Sequence, residues 1–472
     1  MFLSLSRNHI VVFIAGLLAA CISFMWYGLV YYKGFNSDMA IHVLMAEDFQ
    51  FSRDLYFRGQ SRLGSLIPML ASLLVALGIN AVWAVSIITY TLMFGNFVML
   101  QTFLKKTWTK LALAVTLFFP NWAFIEQILP AHPYVSHLFF LSILLVLFHS
   151  QLKNDYKYPL MVLSSVFMIW TSEMALINII ILIIVWFNEL RKEVLSNHKV
   201  VLWSFITLIL GSITILWVKL SATGGGDYNH FLASKTEFFE AVKNFKNQLL
   251  SAVSYGGNKP PVFWLTWLLV VLTGSLLVIR RKPVKLAWYF ILCSLASVGM
   301  VWVSHWASLN YYPHRYYTPA YLQFIFFLLL MADVSRNWFI IIPTVLSCII
   351  SSYSGYYLIN HFSLEVDDRL NRIEMNELID KGKTFGVLAS YWNSYPIDAL
   401  SENIVATPDE YSYNRIPERT GRVFEQDSVL VIRNGFLETL PDTLLQHGHK
   451  LLRISDARQL NEFDYAFYKV IE

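Results

Sequence analysis

Uncharged apolar runs long enough to cross a lipid bilayer recur through the first 359 residues, and they leave this chain few folds to choose from. An α-helix rises about 1.5 Å per residue, so about 20 such residues span a hydrocarbon core of roughly 30 Å. The first run, residues 10–31, has no charged side chain. It is too long for a signal-peptide core and lacks a small-residue cleavage site, so it reads as a retained span. Further spans are expected at about 80–104, 110–126, 133–149, 158–171, 174–190, 200–220, 261–279, 285–304, 318–334 and 338–359, eleven in all. A hydrophobic content of 56% against 14% charged residues excludes an ordinary soluble or disordered chain.

Short loops rich in Lys and Arg stay on the cytoplasmic side of a membrane. Here they are Lys105-Lys106 with Lys110, Lys153 with Lys157, Arg191-Lys192 with Lys199, and Arg280-Arg281-Lys282 with Lys285. Placing them inside puts the N-terminus in the cytoplasm and the C-terminus outside. Residues 66–79 are apolar but number only 14, so they read as a half-helix at the outer face. The basic clusters are topology signals, and no nucleic-acid partner is expected. Cys21, Cys293 and Cys348 lie inside apolar runs and form neither a disulfide framework nor a metal-ligand spacing.

Charge divides the chain. From residue 360 onward there are 12 Lys/Arg and 19 Asp/Glu, a net −7, which leaves +11 before it. The expected domains are therefore 1–359, a membrane domain whose first outer loop is 32–65, and 360–472, a soluble extracytoplasmic unit. Residues 363–382 have helical apolar spacing and end on Gly382. Short β-rich runs follow at 384–390, 403–407, 428–434, 451–455 and 464–471, so the unit reads as a small α/β domain. The expected fold class is an all-α polytopic membrane protein with that domain appended.

In this topology the chemically unusual residues collect on the outer face. The loop "FNSDMAIHVLMAEDFQFSRDLYFRGQSRLGS" (35–65) interleaves four acids and three arginines with aromatics. Asn36 or Ser37 can cap a helix starting near Asp38, with Asp38, His42 and Met45 on one face. Two readings fit Asp38: it favours the helix start through the dipole, or it is an ionised general base. In "NYYPHRYYTPAY", His314, Arg315 and Tyr316 sit at the outer end of a span, where an Arg fork suits a lipid phosphate or snorkels in an aromatic belt. Glu173 interrupts two apolar helices, as a site residue or as half of an ion pair. His132 and His137, with Glu126 and Asp38, permit a divalent cation, but their spacing across Pro133 does not favour one, and no metal ligand or cofactor is assigned. The turn at 223–231 is Gly-rich but lacks the Lys-Ser/Thr of a P-loop.

Five stretches occur in a telling order: Ser37-Asp38-Met39-Ala40, Leu44-Met45-Ala46, Phe57-Arg58-Gly59-Gln60, Gly64-Ser65-Leu66 and Leu77-Gly78. This order resembles the first outer loop of bacterial GT-C glycosyltransferases, membrane enzymes related to the dolichyl-phosphate-mannose:protein mannosyltransferases. The likeness covers about 40 residues, with weaker similarity over the span layout and residues 390–408. In that family the loop acid acts as, or close to, the catalytic base, which gives the role to Asp38. Two positions depart: Met39 stands where the family has a second acid, and Arg62 where an aromatic is common.

The resemblance implies transfer of a sugar from a polyprenyl-phosphate donor to a hydroxyl of a glycan or glycolipid acceptor, such as a lipopolysaccharide intermediate. The place would be the periplasmic face of a bacterial inner membrane, among membrane lipids. Asp38 is the expected base, with Arg58, Gln60, His132, Glu173, His314, Arg315 and Tyr316 as substrate-binding residues. Glu47, Asp48, Arg53, Asp54 and Arg62 read as solvent- or headgroup-facing. A flippase or transporter of lipid-linked sugars, or an envelope glycan polymerase or ligase, is the alternative. Transport would call for inverted repeats and ionisable groups deep in the spans, and this sequence keeps its ionisable groups at one face.

Overall fold

The computed structural model describes residues 7–28, 35–221, 232–254, 284–335, 385–401, 403–409, 414–433, 437, 439–460 and 463–471, and parts of 272–276 and 338–353. The expected helix at 363–382, the boundary near 360, the turn at 223–231 and most of the expected spans at 261–279 and 338–359 lie outside the described residues.

The chain opens with α1 (Arg7–Tyr27), α2 (Ser37–Glu47), α3 (Leu66–Ala76) and α4 (Ala81–Leu100). It continues with α5 (Thr107–Phe118), α6 (Pro133–His149), α7 (Asn154–Thr171), α8 (Ala175–Val185), α9 (Phe187–Leu195) and α10 (His198–Ser221). Then come α11 (Lys235–Ser254), α12 (Lys285–Trp302), α13 (His305–Leu309) and α14 (Thr318–Val334), with 3-10 turns at Trp122–Gln127 and His314–Tyr317.

Among the described residues, α1, α4, α10, α12 and α14 with its preceding turn are long and apolar enough to cross a bilayer. Shorter apolar helices are α3, α5, α6 and α8. Five such helices make this a multi-pass membrane fold; the described residues do not confirm the expected number, eleven. Two expected spans are visibly broken. Pro120 ends α5, and the chain turns through Trp122–Gln127 with the Asn121 side chain accepting from the Ala123 N–H (2.9 Å). The run 174–190 divides at Trp186, where the charged residues of α9 cannot continue in hydrocarbon. At 11 residues α3 is about 16 Å long, half of what a crossing needs.

Large apolar side chains stand exposed along α1 (Ile10, Ile14, Leu18) and α10 (Leu202, Phe205, Leu210, Ile213). On a soluble protein these would be an association patch; in a bilayer they meet lipid tails. At the far end of α14 the buried Asp333 accepts from the N–H groups of Lys105 (2.9 Å) and Lys106 (2.8 Å) and from Thr109 Oγ1 (2.6 Å). It satisfies the free donors at the start of α5 and pins that helix to α14.

The C-terminal unit contains α15 (Tyr391–Ala399), α16 (Pro417–Phe424) and seven strands: β1 (Phe385–Ala389), β2 (Ile404–Pro408), β3 (Val429–Arg433), β4 (Thr443–Gln446), β5 (His449–Arg453), β6 (Arg458–Leu460) and β7 (Phe463–Val470). The order is β2-β1-β3-β7-β5-β4, with β6 on β7. β2, β1 and β3 are parallel, joined by crossovers through α15 and α16, and the rest pair antiparallel. The alternation of β1 explains the two cores. Val387 and Ala389 pack with Ile397, Ile404 and Leu430 on one face, and Leu388 packs with Val423, Phe424 and Tyr468 on the other. Five of the strands fall on the expected runs; β4 and β6, of four and three residues, do not.

Candidate active site

The first loop is where the membrane part and the sheet domain meet. α2 starts at an Asn36 cap, whose side chain accepts from the Met39 N–H at 3.1 Å. Eight of its eleven residues are buried, because α3 and α4 cover one side and α15 of the sheet domain another. A helix enclosed in this way does not lie half in lipid.

The rest of the loop is tied down at two levels. It folds back on itself through a bridge between Tyr56 and Gly64, and Gly64 and Leu55 are fastened to the end of α7. The Gly64 N–H donates to Trp170 O (3.0 Å), and Trp170 Nε1 donates to Leu55 O (2.9 Å). A Cβ on Gly64 would stand 2.6 Å from that Trp170 oxygen, so only glycine allows the approach. Inside the loop Asp54, fully buried, accepts from Arg53 Nε (2.9 Å), Arg58 Nε (2.8 Å) and the Gln50 N–H (2.9 Å). Asp54 is therefore not solvent-facing as its sequence reads. Burial alone would raise its pKa, yet the bonds from Arg58 and Arg53 hold it below the usual carboxylate range.

Arg58 belongs to this same knot. Its side chain is 2% exposed and engages Asp54 and, at 2.7 Å, Asp48 rather than Asp38. Gln60 accepts from Arg62 Nε at 3.4 Å, and the Arg62 guanidinium lies over the Trp306 ring at 4.6 Å. Glu173 sits beside this loop and takes an ion pair from Lys219 at 2.8 Å.

The structure brings a second set together around Asp38. Arg315 Nη1, from the turn before α14, lies 3.8 Å from Asp38 Oδ2. Its guanidinium also lies 5.6 Å from the Tyr316 ring centre. Glu126 pairs with His132 at 3.3 Å. Burial would raise the Glu126 pKa, but His132, Arg315 and His314 lower it overall. The His314 ring rests 5.3 Å from Trp122. His42, one turn along α2 from Asp38, is pushed down to about 3 by burial and by His132, which leaves it neutral. Among the described residues no group of three or more His, Cys, Asp or Glu is placed to hold a metal ion.

One partner of Asp38 was not legible as such in the sequence. The Tyr391 hydroxyl, from the sheet domain, donates to Asp38 Oδ1 at 2.7 Å. The "YWNSYP" stretch gave aromatic content but no signal that it reaches across some 350 residues. Further ties hold the same interface. Arg415 Nη1 donates to Gly59 O (2.8 Å), Arg419 pairs with Glu47 (2.9 Å), and Arg53 pairs with Glu418 (2.9 Å). Gly59 has φ +76°, and a Cβ there would lie 2.5 Å from Arg415 Cδ. Gly59→Ala is expected to cost about 1–3 kcal/mol through the left-handed backbone and the clash. It should lower the thermal midpoint and speed amide exchange in α16, while exchange in α4 stays unchanged.

No protein-family profile matches this chain, and no curated protein matches it. Solved structures do. ArnT from Cupriavidus metallidurans, bound to undecaprenyl phosphate, superposes with a TM-score of 0.57 over 98% of both chains, at 8% identity. The archaeal oligosaccharyltransferase AglB from Archaeoglobus fulgidus, in complex with an inhibitory peptide and a dolichol-phosphate, gives 0.44 over 89% of this chain and 69% of that one, at 12% identity. These neighbours are GT-C membrane enzymes. At such identities the ArnT superposition establishes a shared fold, running through the membrane helices and into the C-terminal domain.

Proposed function

We propose that this chain is a glycosyltransferase that moves a sugar from a polyprenyl-phosphate donor to a hydroxyl of a glycan or glycolipid. The branch related to the protein mannosyltransferases, residues 1–359 as catalytic domain and the periplasmic face of a bacterial inner membrane are part of the same reading. The observation that carries it is the pairing of a half-exposed carboxylate, Asp38, with a guanidinium, Arg315, at 3.8 Å, in a fold shared with a protein bound to undecaprenyl phosphate.

The chemistry is a single displacement. The acceptor oxygen forms a bond to the anomeric carbon as the bond from that carbon to the carrier phosphate breaks. The acceptor proton goes to Asp38, and the phosphate leaves on the polyprenyl chain with its new charge against Arg315. Attack opposite the leaving group inverts the anomeric centre. Glu126 and His132 line the neighbouring wall, and His314 and Tyr316 flank Arg315. Arg58 and Gln60 act through the loop they brace, and Glu173 stands beside it in its ion pair with Lys219.

The test is incubation of the purified full chain with a panel of undecaprenyl-phosphate sugars and lipid-linked glycan acceptors. Release of undecaprenyl phosphate together with a glycosylated acceptor is the expected result. Movement of the lipid-linked sugar across vesicles with no donor consumed would replace this reading with transport. In the active system Arg315→Gln should lower kcat/KM about 10- to 100-fold, the worth of a hydrogen bond to a charged group.

A further inference from the structure

The sheet domain does more than sit on the first loop; it reaches the candidate base. β1 ends at Ala389, and the chain passes through Ser390 into α15 at the C-terminal edge of the three parallel strands. In open α/β sheets that edge is where ligands and functional groups collect. What lies beyond this edge is the start of α2.

Tyr391, the first residue of α15, grips two consecutive residues of α2. Its carbonyl oxygen accepts from Ser37 Oγ, and its hydroxyl donates to Asp38 Oδ1 at 2.7 Å. The side chain has little freedom, since Tyr391 is 7% exposed and its ring meets Trp392 and Tyr395 edge-on at 5.0 and 5.6 Å. Tyr395 is held in turn: its hydroxyl accepts from the Arg415 N–H at 2.6 Å, and Arg415 bonds Gly59. Burial and the Asp38 charge both raise the Tyr391 pKa well above the ordinary phenol value, so the hydroxyl stays a donor.

A carboxylate has two oxygens and a broad terminal torsion that exchanges them. Tyr391 occupies Oδ1, while Oδ2 is the oxygen that faces Arg315. Fixing the first oxygen aims the second at the place where the phosphate leaves and the acceptor must enter. We propose that Tyr391 is the positioning residue of Asp38, so that the sheet domain completes the active site. This rests on the glycosyltransferase reading above. Tyr391 carries no proton in the reaction; it fixes which oxygen of Asp38 receives one.

The experiment uses the purified full chain and the undecaprenyl-phosphate sugar that the wild type consumes. Tyr391→Phe removes the hydroxyl and keeps the ring, and Tyr391→Leu removes both. Tyr391→Phe should lower kcat about 10- to 100-fold, with the donor KM, the binding of undecaprenyl phosphate and the thermal midpoint unchanged. A full-rate Tyr391→Phe beside an impaired Tyr391→Leu would reduce the residue to packing and overturn the proposal. So would a Tyr391→Phe whose midpoint and donor binding fall together with kcat. A wild type that consumes no donor removes the enzyme reading itself, whereas an active wild type with an inactive Asp38→Asn and a normal Tyr391→Phe removes only the positioning role.

Discussion

Asp38→Asn is expected to lower kcat by about 10²- to 10⁴-fold, the usual worth of a positioned general base, while the protein keeps its fold. The substitution separates the two readings that the sequence leaves open. As a helix-start residue, Asp38 contributes only its charge near the dipole of α2, about 0.3–1 kcal/mol. The cap itself is Asn36, which accepts from the Met39 N–H whatever stands at 38. Asparagine keeps the size and an oxygen for the Tyr391 hydroxyl, so α2 and its contact with α15 survive. What it loses is the ability to take a proton and the charge that faces Arg315 at 3.8 Å. A structural role thus predicts a small loss of stability and full activity, and a base role predicts the reverse. Initial rates under saturating donor, with thermal melts of both proteins, decide between them. Full-rate turnover by the variant would return Asp38 to the helix start.

Much of this arrangement is legible in the sequence itself. Periodicity and charge locate the apolar helices; α6 occupies the expected 133–149. Cap chemistry places the start of α2, since Asn36 and Asp38 carry the signal locally. Asp38 and Arg315 were separately legible because each is a charge among apolar neighbours. Their proximity was not, being set by packing across some 280 residues. Tyr391 was hidden for the same reason, as one tyrosine among 25 whose meaning comes only from the docked sheet domain. The family pattern marked Arg58 as a contact, but pattern position does not tell a ligand-binding arginine from one that holds the loop. Only the buried Asp54 beside it does. The length rule failed in the other direction. Runs such as 110–126 and 174–190 look like single spans, but Pro120 and the charged start of α9 break them into shorter pieces.

The Asp54 knot supports the largest stability effect. Asp54 is fully buried and receives both Arg53 and Arg58, the latter with a side chain only 2% exposed. Removing one partner of a buried ion pair leaves the other charge without compensation, and this costs about 3–5 kcal/mol. Asp48 is half exposed and cannot replace the lost carboxylate for two guanidinium groups. Asp54→Asn should therefore depress the thermal midpoint more than any other single change proposed for the loop. It should also loosen Gly59, the residue after Arg58, from Arg415 and so weaken sheet-domain docking. Asp54→Asn with Arg58→Met should recover most of the loss, because deleting both charges leaves no buried ion unpaired. The sign with pH follows from the folded pKa of Asp54, which lies below the ordinary range. Its contribution is complete above the unfolded pKa, at neutral pH, and is lost as pH falls through the folded value. Wild type should lose stability on acidification below about pH 4, and Asp54→Asn should lack that part of the loss. An Asp54→Asn protein that melts with the wild type at neutral pH would show that Asp48 and solvent suffice for both arginines.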